Sequence, residues 1–210
     1  MTAVALPPVK YRMPKPLTAS SHSVALLVAM PGLEDAFFAR SVVLLLNRGD
    51  HGAEGLVLNR PAPVLLTTVL EGAGVASPRQ DTAGQQVHIG GPVEPHAGVL
   101  LVDVGSASAV HAQTAALLQE EAHEVLPGIL MSASMDVLRA VSTDDNAGRF
   151  GLFLGRAGWT AGQLEQELAE GSWLLTEADP ALLFAEGTDA VWRTALRLMG
   201  AEPETVVREL

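Results

Sequence analysis

Guanidinium, carboxamide and carboxylate side chains beside glycine backbone are the groups with which a fold holds a charged small molecule. This chain places them in four short stretches. Arg40 precedes the apolar run "SVVLLL", Asn59 and Arg60 close "GLVLNRP", Gly90 and Gly91 precede Pro92, and Gln163 and Glu165 open "GQLEQELAEG". Arginine offers a fixed fork of donors, and the first amides of a helix are unpaired and carry partial positive charge. A rim formed by Arg40, Asn59, Arg60, Gly90, Gly91, Gln163 and Glu165 would therefore suit an anionic ligand. The competing reading is structural: Arg40 pairs with Asp35 or Glu34, Gln163 completes a helix cap, and Asn59 and Pro61 shape a turn.

Other chemistries find less support. The stretch "NRGDHGAEGLVLNRP", Asn47 to Pro61, is glycine-rich, but a phosphate loop needs Lys and Ser or Thr after its last glycine at the mouth of a helix, and here a β-prone run follows. The glycines are read as closing a hairpin over residues 48 to 54, and Arg48-Gly49-Asp50 as a chance triplet. The histidines at 22, 51, 88, 96, 111 and 123 form no i, i+4 pair, and Glu120 with His123 makes a lone E-x-x-H, so no metal site is expected. There is no cysteine and no G-x-S-x-G elbow; Ser132 and Ser134 flank a helix start, where capping accounts for them. No catalytic set and no cofactor is expected.

The composition bounds the partners. Thirteen basic against 24 acidic residues give a net charge of −11, and both lysines fall in the first 22 residues, so a nucleic-acid partner is disfavoured by the mean field. No apolar run approaches the roughly 18 to 20 residues of a membrane span, and residues 1–22 lack an export signal's apolar centre. The expectation is a cytoplasmic protein with no membrane partner, comprising a flexible tail over 1–22 and a single domain over 23–210.

The elements that must position these residues alternate irregularly. "SVALLVAM" and "RSVVLLLN" read as buried strands, with Phe37 and Phe38 as apolar anchors between them, and "GLVLN" as the hairpin's return. A short helix starts near Pro63, residues 76–86 form a surface loop, and two strands flank Gly90-Gly91-Pro92, where the paired glycines suggest close approach of another segment. "TAALLQEEAHEVL" is a helix or a helix followed by a strand. "GILMSAS" is a strand feeding a helix capped by Ser132 or Ser134, and "RFGLFLGRAG" is another strand. In "WTAGQLEQELAEG", Thr160 is the expected N-cap with Gln163 as its reciprocal partner, Trp159 staples against Leu164, and Gly171 is the stop. "SWLLTEAD" and "ALLF" read as strands, and a last helix is capped by Thr188 or Asp189 and stopped by Gly200. The three tryptophans are read as core. Hairpins among scattered helices make the class α+β.

Four blocks, "AMPGLEDAFFARSVVLLL", "HGAEGLVLNRP", "IGGPVEPHAGVLL" and "GRAGWTAGQLEQELAEGSWL", occur in the order found in the YqgE/AlgH family of bacterial proteins, which the chain resembles over about half its length. The resemblance implies an antiparallel β-barrel or bifurcated sheet surrounded by short helices, a cytosolic location and no established activity, with a transcriptional regulatory role attached to some relatives. The pattern falls on Asp35, Arg40, Gly55, Asn59, Pro61, Gly90, Gly91, Pro92, Trp159, Gly162, Gln163, Leu164 and Glu165. The chain departs from it at Ala36, where proline is usual, at Arg48 and Val102, where histidines are common, and at Arg156, where a tyrosine usually precedes "AGW". Imidazole chemistry at positions 48 and 102 is thereby removed.

Two functional classes follow. One is a non-enzymatic binding or regulatory module that engages a small ligand or a protein partner. The other is an enzyme acting on a small anionic substrate through Arg40, Asn59 and Glu165.

Overall fold

The computed structural model describes residues 25–201; the tail expected over 1–22 lies outside the described residues. The chain divides into two compact units, one comprising residues 62–88 and 96–154, the other 25–61, 89–95 and 155–201. The class is α+β with antiparallel strand pairing.

The second unit is built on apolar strands. β1 (Ala25–Ala29) lies between β2 (Val42–Gly49) and the late strand β10 (Trp173–Glu177), and β2 pairs in turn with β3 (Gly52–Val57). The hairpin foreseen from the glycines is present: Gly49 lies opposite Gly52, with Asp50 and His51 at the turn. β3 then pairs with the end of β9 (Arg149–Trp159), Ala53 opposite Trp159. Leu27, Ala29, Val43, Leu45, Val57 and Leu164 are buried in one cluster with Trp159 and Trp173, against which Phe37 and Phe38 pack. The third tryptophan, Trp192, is also buried, its indole nitrogen donating to the Ala29 carbonyl at 2.7 Å. Burying that indole is tolerable because its N–H finds an acceptor.

The first unit holds most of β4 (Pro61–Leu65), α1 (Leu66–Gly72), most of β5 (Gln86–Ile89) and of β6 (Val93–Asp103), α2 (Ala112–Glu121), β7 (His123–Leu126), β8 (Ile129–Ser132) and α3 (Met135–Thr143). β8 lies between β6 and β7, and β4 pairs with β5. β9 has β3, β5 and β6 as hydrogen-bonded neighbours, so pairing branches there.

Several local expectations need correction. The helix expected near Pro63 begins at Leu66: the preceding residues alternate exposed Pro61, Pro63 and Leu65 about buried Ala62, a period of two that belongs to a strand. Among the described residues β4 pairs only with β5, and prolines are tolerated on such an edge. The loop over 76–86 is not all surface, because Arg79 and Thr82 are buried. "ALLF" is a helix, α5 (Pro180–Leu183), not a strand: Asp179 accepts from the Ala181 amide and Pro180 occupies the first turn, a capping signature that outweighs the apolar run. α4 (Gln163–Ala169) is capped by Gly162 in a left-handed conformation, not by Thr160. The Thr160 amide and hydroxyl both point to Gln163 Oε1, so half of the expected box exists without the hydroxyl accepting. α6 (Thr188–Leu198) begins after Gly187 with no side-chain cap, and the Asp189 carboxylate expected to cap it pairs with Arg40 instead. Between α2 and β8 the mixed helix and strand is the observed arrangement, and of the two serines it is Ser134 that caps α3.

Candidate functional site

The residues singled out from sequence lie in the second unit, and their bonds separate them into three groups and one residue, Arg60, that stands apart. Asn59 is 2% exposed, and its amide is fully engaged: Oδ1 accepts from the Val42 amide at 2.9 Å, and Nδ2 donates to the carbonyls of Arg40 at 2.9 Å and Thr188 at 2.8 Å. It thus ties the start of β2 to the start of α6. Arg40, held with a positive φ of 57°, sends its guanidinium to Asp189 at 3.2 Å and over the Trp192 ring, not to Asp35 or Glu34. Asp35 instead accepts from the amides of Phe37 and Phe38, a local turn that fixes both rings.

At the start of α4, Gln163 bonds Thr160 and Glu167, while Glu165 pairs with Arg48 at 3.0 Å. That hydrogen bond holds the Glu165 carboxyl below its ordinary range. Both partners are open to solvent, so the pair stabilises little. The structure does not unite this group with Arg40 and Asn59 through any bond.

Gly90 and Gly91 form the third group. The Gly90 carbonyl accepts from the Val57 amide at 2.8 Å, and Gly91 runs against the backbone of Arg156, which is the close approach anticipated from the paired glycines. Arg156 itself pairs with Glu54 at 3.0 Å and with Glu94.

Arg60 is different. Its carbonyl accepts from the Ile89 amide at 2.7 Å, and its guanidinium carbon lies 4.8 Å from the centre of the Phe37 ring. The Arg60 Nε is buried without a hydrogen-bond partner. Arg40, Arg48, Arg79, Arg139, Arg149 and Arg156 each pair with a carboxylate. Half-buried Arg60 has none among the described residues. The ring beneath it belongs to an aromatic platform: Phe37 meets Phe38 edge-on at 4.9 Å, and Phe38 lies 6.2 Å from Trp159 and 5.8 Å from Trp173. A cation on such a face is held in place without its charge being neutralised.

Sequence reasoning missed Glu167, which braces that platform. Its Oε2 accepts from the indole nitrogens of Trp159 at 2.9 Å and Trp173 at 2.8 Å, and its Oε1 from Gln163 at 2.9 Å. The signal was available, since two buried indoles require acceptors and this acid stands on the short helix between them.

In the first unit, polar groups are consumed by structure. The Arg79 guanidinium donates to the carbonyls of Val141, Asp144 and Gly148 and to Asp81, whose hydrogen bond raises the arginine while the carboxyl of Asp81 is lowered in turn. Burial pushes the Asp144 carboxyl upward, but bonds from the His111 and Asn146 amides and the Thr114 hydroxyl outweigh it and leave the carboxyl lowered. Burial also lowers His123, whose Nε2 has no partner. The unfolded chain then binds this proton at a higher pH than the folded one, so stability is expected to fall as pH drops below about 6.5 toward the lowered folded value. Urea midpoints of the natural protein and His123→Phe between pH 7 and 5 test this. The substituted protein should show the flatter profile, whereas the lowered carboxylates contribute only near pH 4 and below.

With that geometry established, the comparisons fix the family. The AlgH-like family model, DUF179, matches residues 26–204. The chain belongs to the AlgH-like family. A UPF0301 protein of Myxococcus xanthus is 41% identical, over 87% of this chain and 93% of the relative, and one of Ruegeria pomeroyi is 36% identical over 84% and 91%. The solution structure of the AlgH protein from Pseudomonas aeruginosa superposes with a TM-score of 0.64 at 31% identity, covering 90% of this chain and 95% of that one. A crystal structure of a Corynebacterium diphtheriae protein gives 0.63 at 25% identity, over 85% and 88%. Among the described residues of this AlgH-like protein no helix is long and apolar enough to cross a membrane, and no three His, Asp or Glu side chains gather as metal ligands.

Proposed function

We propose that this AlgH-like protein is a cytoplasmic, non-enzymatic binding module with a regulatory role, and that it recognises an anionic group on a small ligand or a protein partner through Arg60. The supporting observation is the Arg60 guanidinium, stacked on Phe37 with no carboxylate partner among the described residues. The enzyme reading asks Arg40, Asn59 and Glu165 to meet a substrate. Asn59 is buried with its amide saturated and Glu165 is bonded at a different helix, which favours the binding role.

Thermal-shift measurements with orthophosphate, ATP and citrate at low salt test the reading. At least one anion is expected to raise the melting temperature, by mass action on the folded state. Arg60→Met should abolish the shift and Arg60→Lys retain part of it, because lysine keeps the charge and loses the planar stack. An anion-induced shift that persists undiminished in Arg60→Met would refute this site, and steady turnover of a stabilising ligand would refute the non-enzymatic role.

A further inference from the structure

A groove of about 340 Å³ opens in the first unit, lined by Ala115, Leu118 and Gln119 of α2, by Ala122 just past its end, and by Val110 and Leu130. Ala115, Leu118 and Gln119 follow the i, i+3, i+4 spacing that puts them on one face of the helix. Ala115, Ala122 and Leu130 remain half-exposed, so the groove shows apolar surface to water. Its size falls at the small end of ligand pockets, typically about 300 to 1,000 Å³, which suits a bicyclic ring with a short chain and is too small for a helix.

The segment that lines the groove carries carboxylates and no fixed positive charge. Residues 104–138 contain no lysine or arginine, whereas Glu120, Glu121 and Glu124 stand at the junction of α2 and β7. Glu124 lies directly opposite Leu130 in the β7–β8 pair, so its side chain rises on the same face as a residue that lines the groove. One of its oxygens accepts from the Gly128 amide, and no cation pairs with it among the described residues. The negative end of the α2 dipole points to the same place, and the last turn of α2 has no basic residue to offset it.

We infer that this groove binds a small organic cation with an apolar body, the aryl or alkyl part lying against Ala115, Leu118 and Leu130 and the protonated amine directed to Glu124. This goes beyond the proposed recognition of an anion at Arg60 and does not depend on it.

Three naphthalenes of matched body test the inference with the full chain: 2-(1-naphthyl)ethylamine as cation, 1-naphthylacetamide as neutral and 1-naphthylacetate as anion. Fluorescence titration at low salt should place the cation about fivefold ahead of the anion, the order expected for one solvent-edge charge, with the gap closing as salt is added. Glu124→Gln should remove that preference and leave the affinity for the neutral amide unchanged. Ala115→Phe, or Ala122→Phe should the first variant fold poorly, fills the groove and should abolish all three affinities while circular dichroism stays native. Equal affinity for the anion or the neutral amide, or binding that survives a filled groove, would overturn the assignment. So would light scattering that shows self-association relieved by Ala115→Phe, because a second copy would then be the occupant.

Discussion

Gly91→Ala is expected to destabilise the protein by about 4 kcal/mol or more, the range reached when a substitution forces backbone against backbone. A β-carbon at position 91 would lie 1.9 Å from the carbonyl carbon of Arg156 and 2.1 Å from the amide nitrogen of Ala157. Neither atom belongs to a flexible side chain, so relief requires β9 to move as a whole. The contact is reciprocal, since a β-carbon at Gly155, whose φ is +70°, would lie 2.3 Å from the Gly91 carbonyl oxygen. The measurement is the urea midpoint of Gly91→Ala beside that of Gly171→Ala. Gly171 also has positive φ, at +75°, but has open space around it, so its variant carries only the left-handed backbone penalty of roughly 1 to 2 kcal/mol. A Gly91→Ala protein as stable as the Gly171→Ala control would mean that the backbone contact with Arg156 does not exist in solution. The consequence for function is direct: glycine at position 91 is explained by chain packing and does not require a ligand.

Amino-acid order carries local signals well and distant partners poorly. The strands of the second unit were legible because their signal is local: "ALLVA" and "VVLLL" are apolar, β-branched and bounded by turn formers, and two glycines close the hairpin between β2 and β3. Helix starts were less legible. At α4 the Thr160 hydroxyl donates to Gln163 where an accepting oxygen was expected, and at α6 the Asp189 carboxylate meets Arg40, 149 residues away, a partner that no local pattern reports. The candidate site suffered in the same way. Side-chain type marked Asn59 and Arg60 alike as polar, and only tertiary contacts separate them: one is saturated by three backbone groups, the other is left charged on an aromatic face. The α2 groove gave a weaker hint, the stretch 80–138 without lysine or arginine, whose meaning depends on where the fold places Glu124 and Leu130.

The Asn59 amide supplies the second large expected effect. Asn59→Leu keeps the volume but leaves the Val42 amide and the carbonyls of Arg40 and Thr188 without their partner, and should cost about 3 kcal/mol at roughly 1 kcal/mol or more for each buried orphan. Asn59→Asp should cost more at pH 7, because it sets a carboxylate where the amide nitrogen faces two carbonyl oxygens, 2.9 and 2.8 Å away. Burial and those oxygens both disfavour the charged form, so the introduced carboxyl has a raised pKa in the folded state. The sign of the pH effect follows: relative to the natural protein, the aspartate variant should regain stability as pH falls from 7 toward 5, since a protonated carboxyl can donate to one of the two carbonyls, whereas the leucine variant should show no such recovery. Arg40→Ala provides the contrast. It removes an ion pair whose side chains are 59% and 53% exposed and leaves the Arg40 carbonyl in place, so it should cost less than about 1 kcal/mol. Parallel urea titrations of the three variants at pH 7 and 5 would decide the matter. If Arg40→Ala proved as damaging as Asn59→Leu, the tie between β2 and α6 would run through the surface charges and the buried amide would be free for another role.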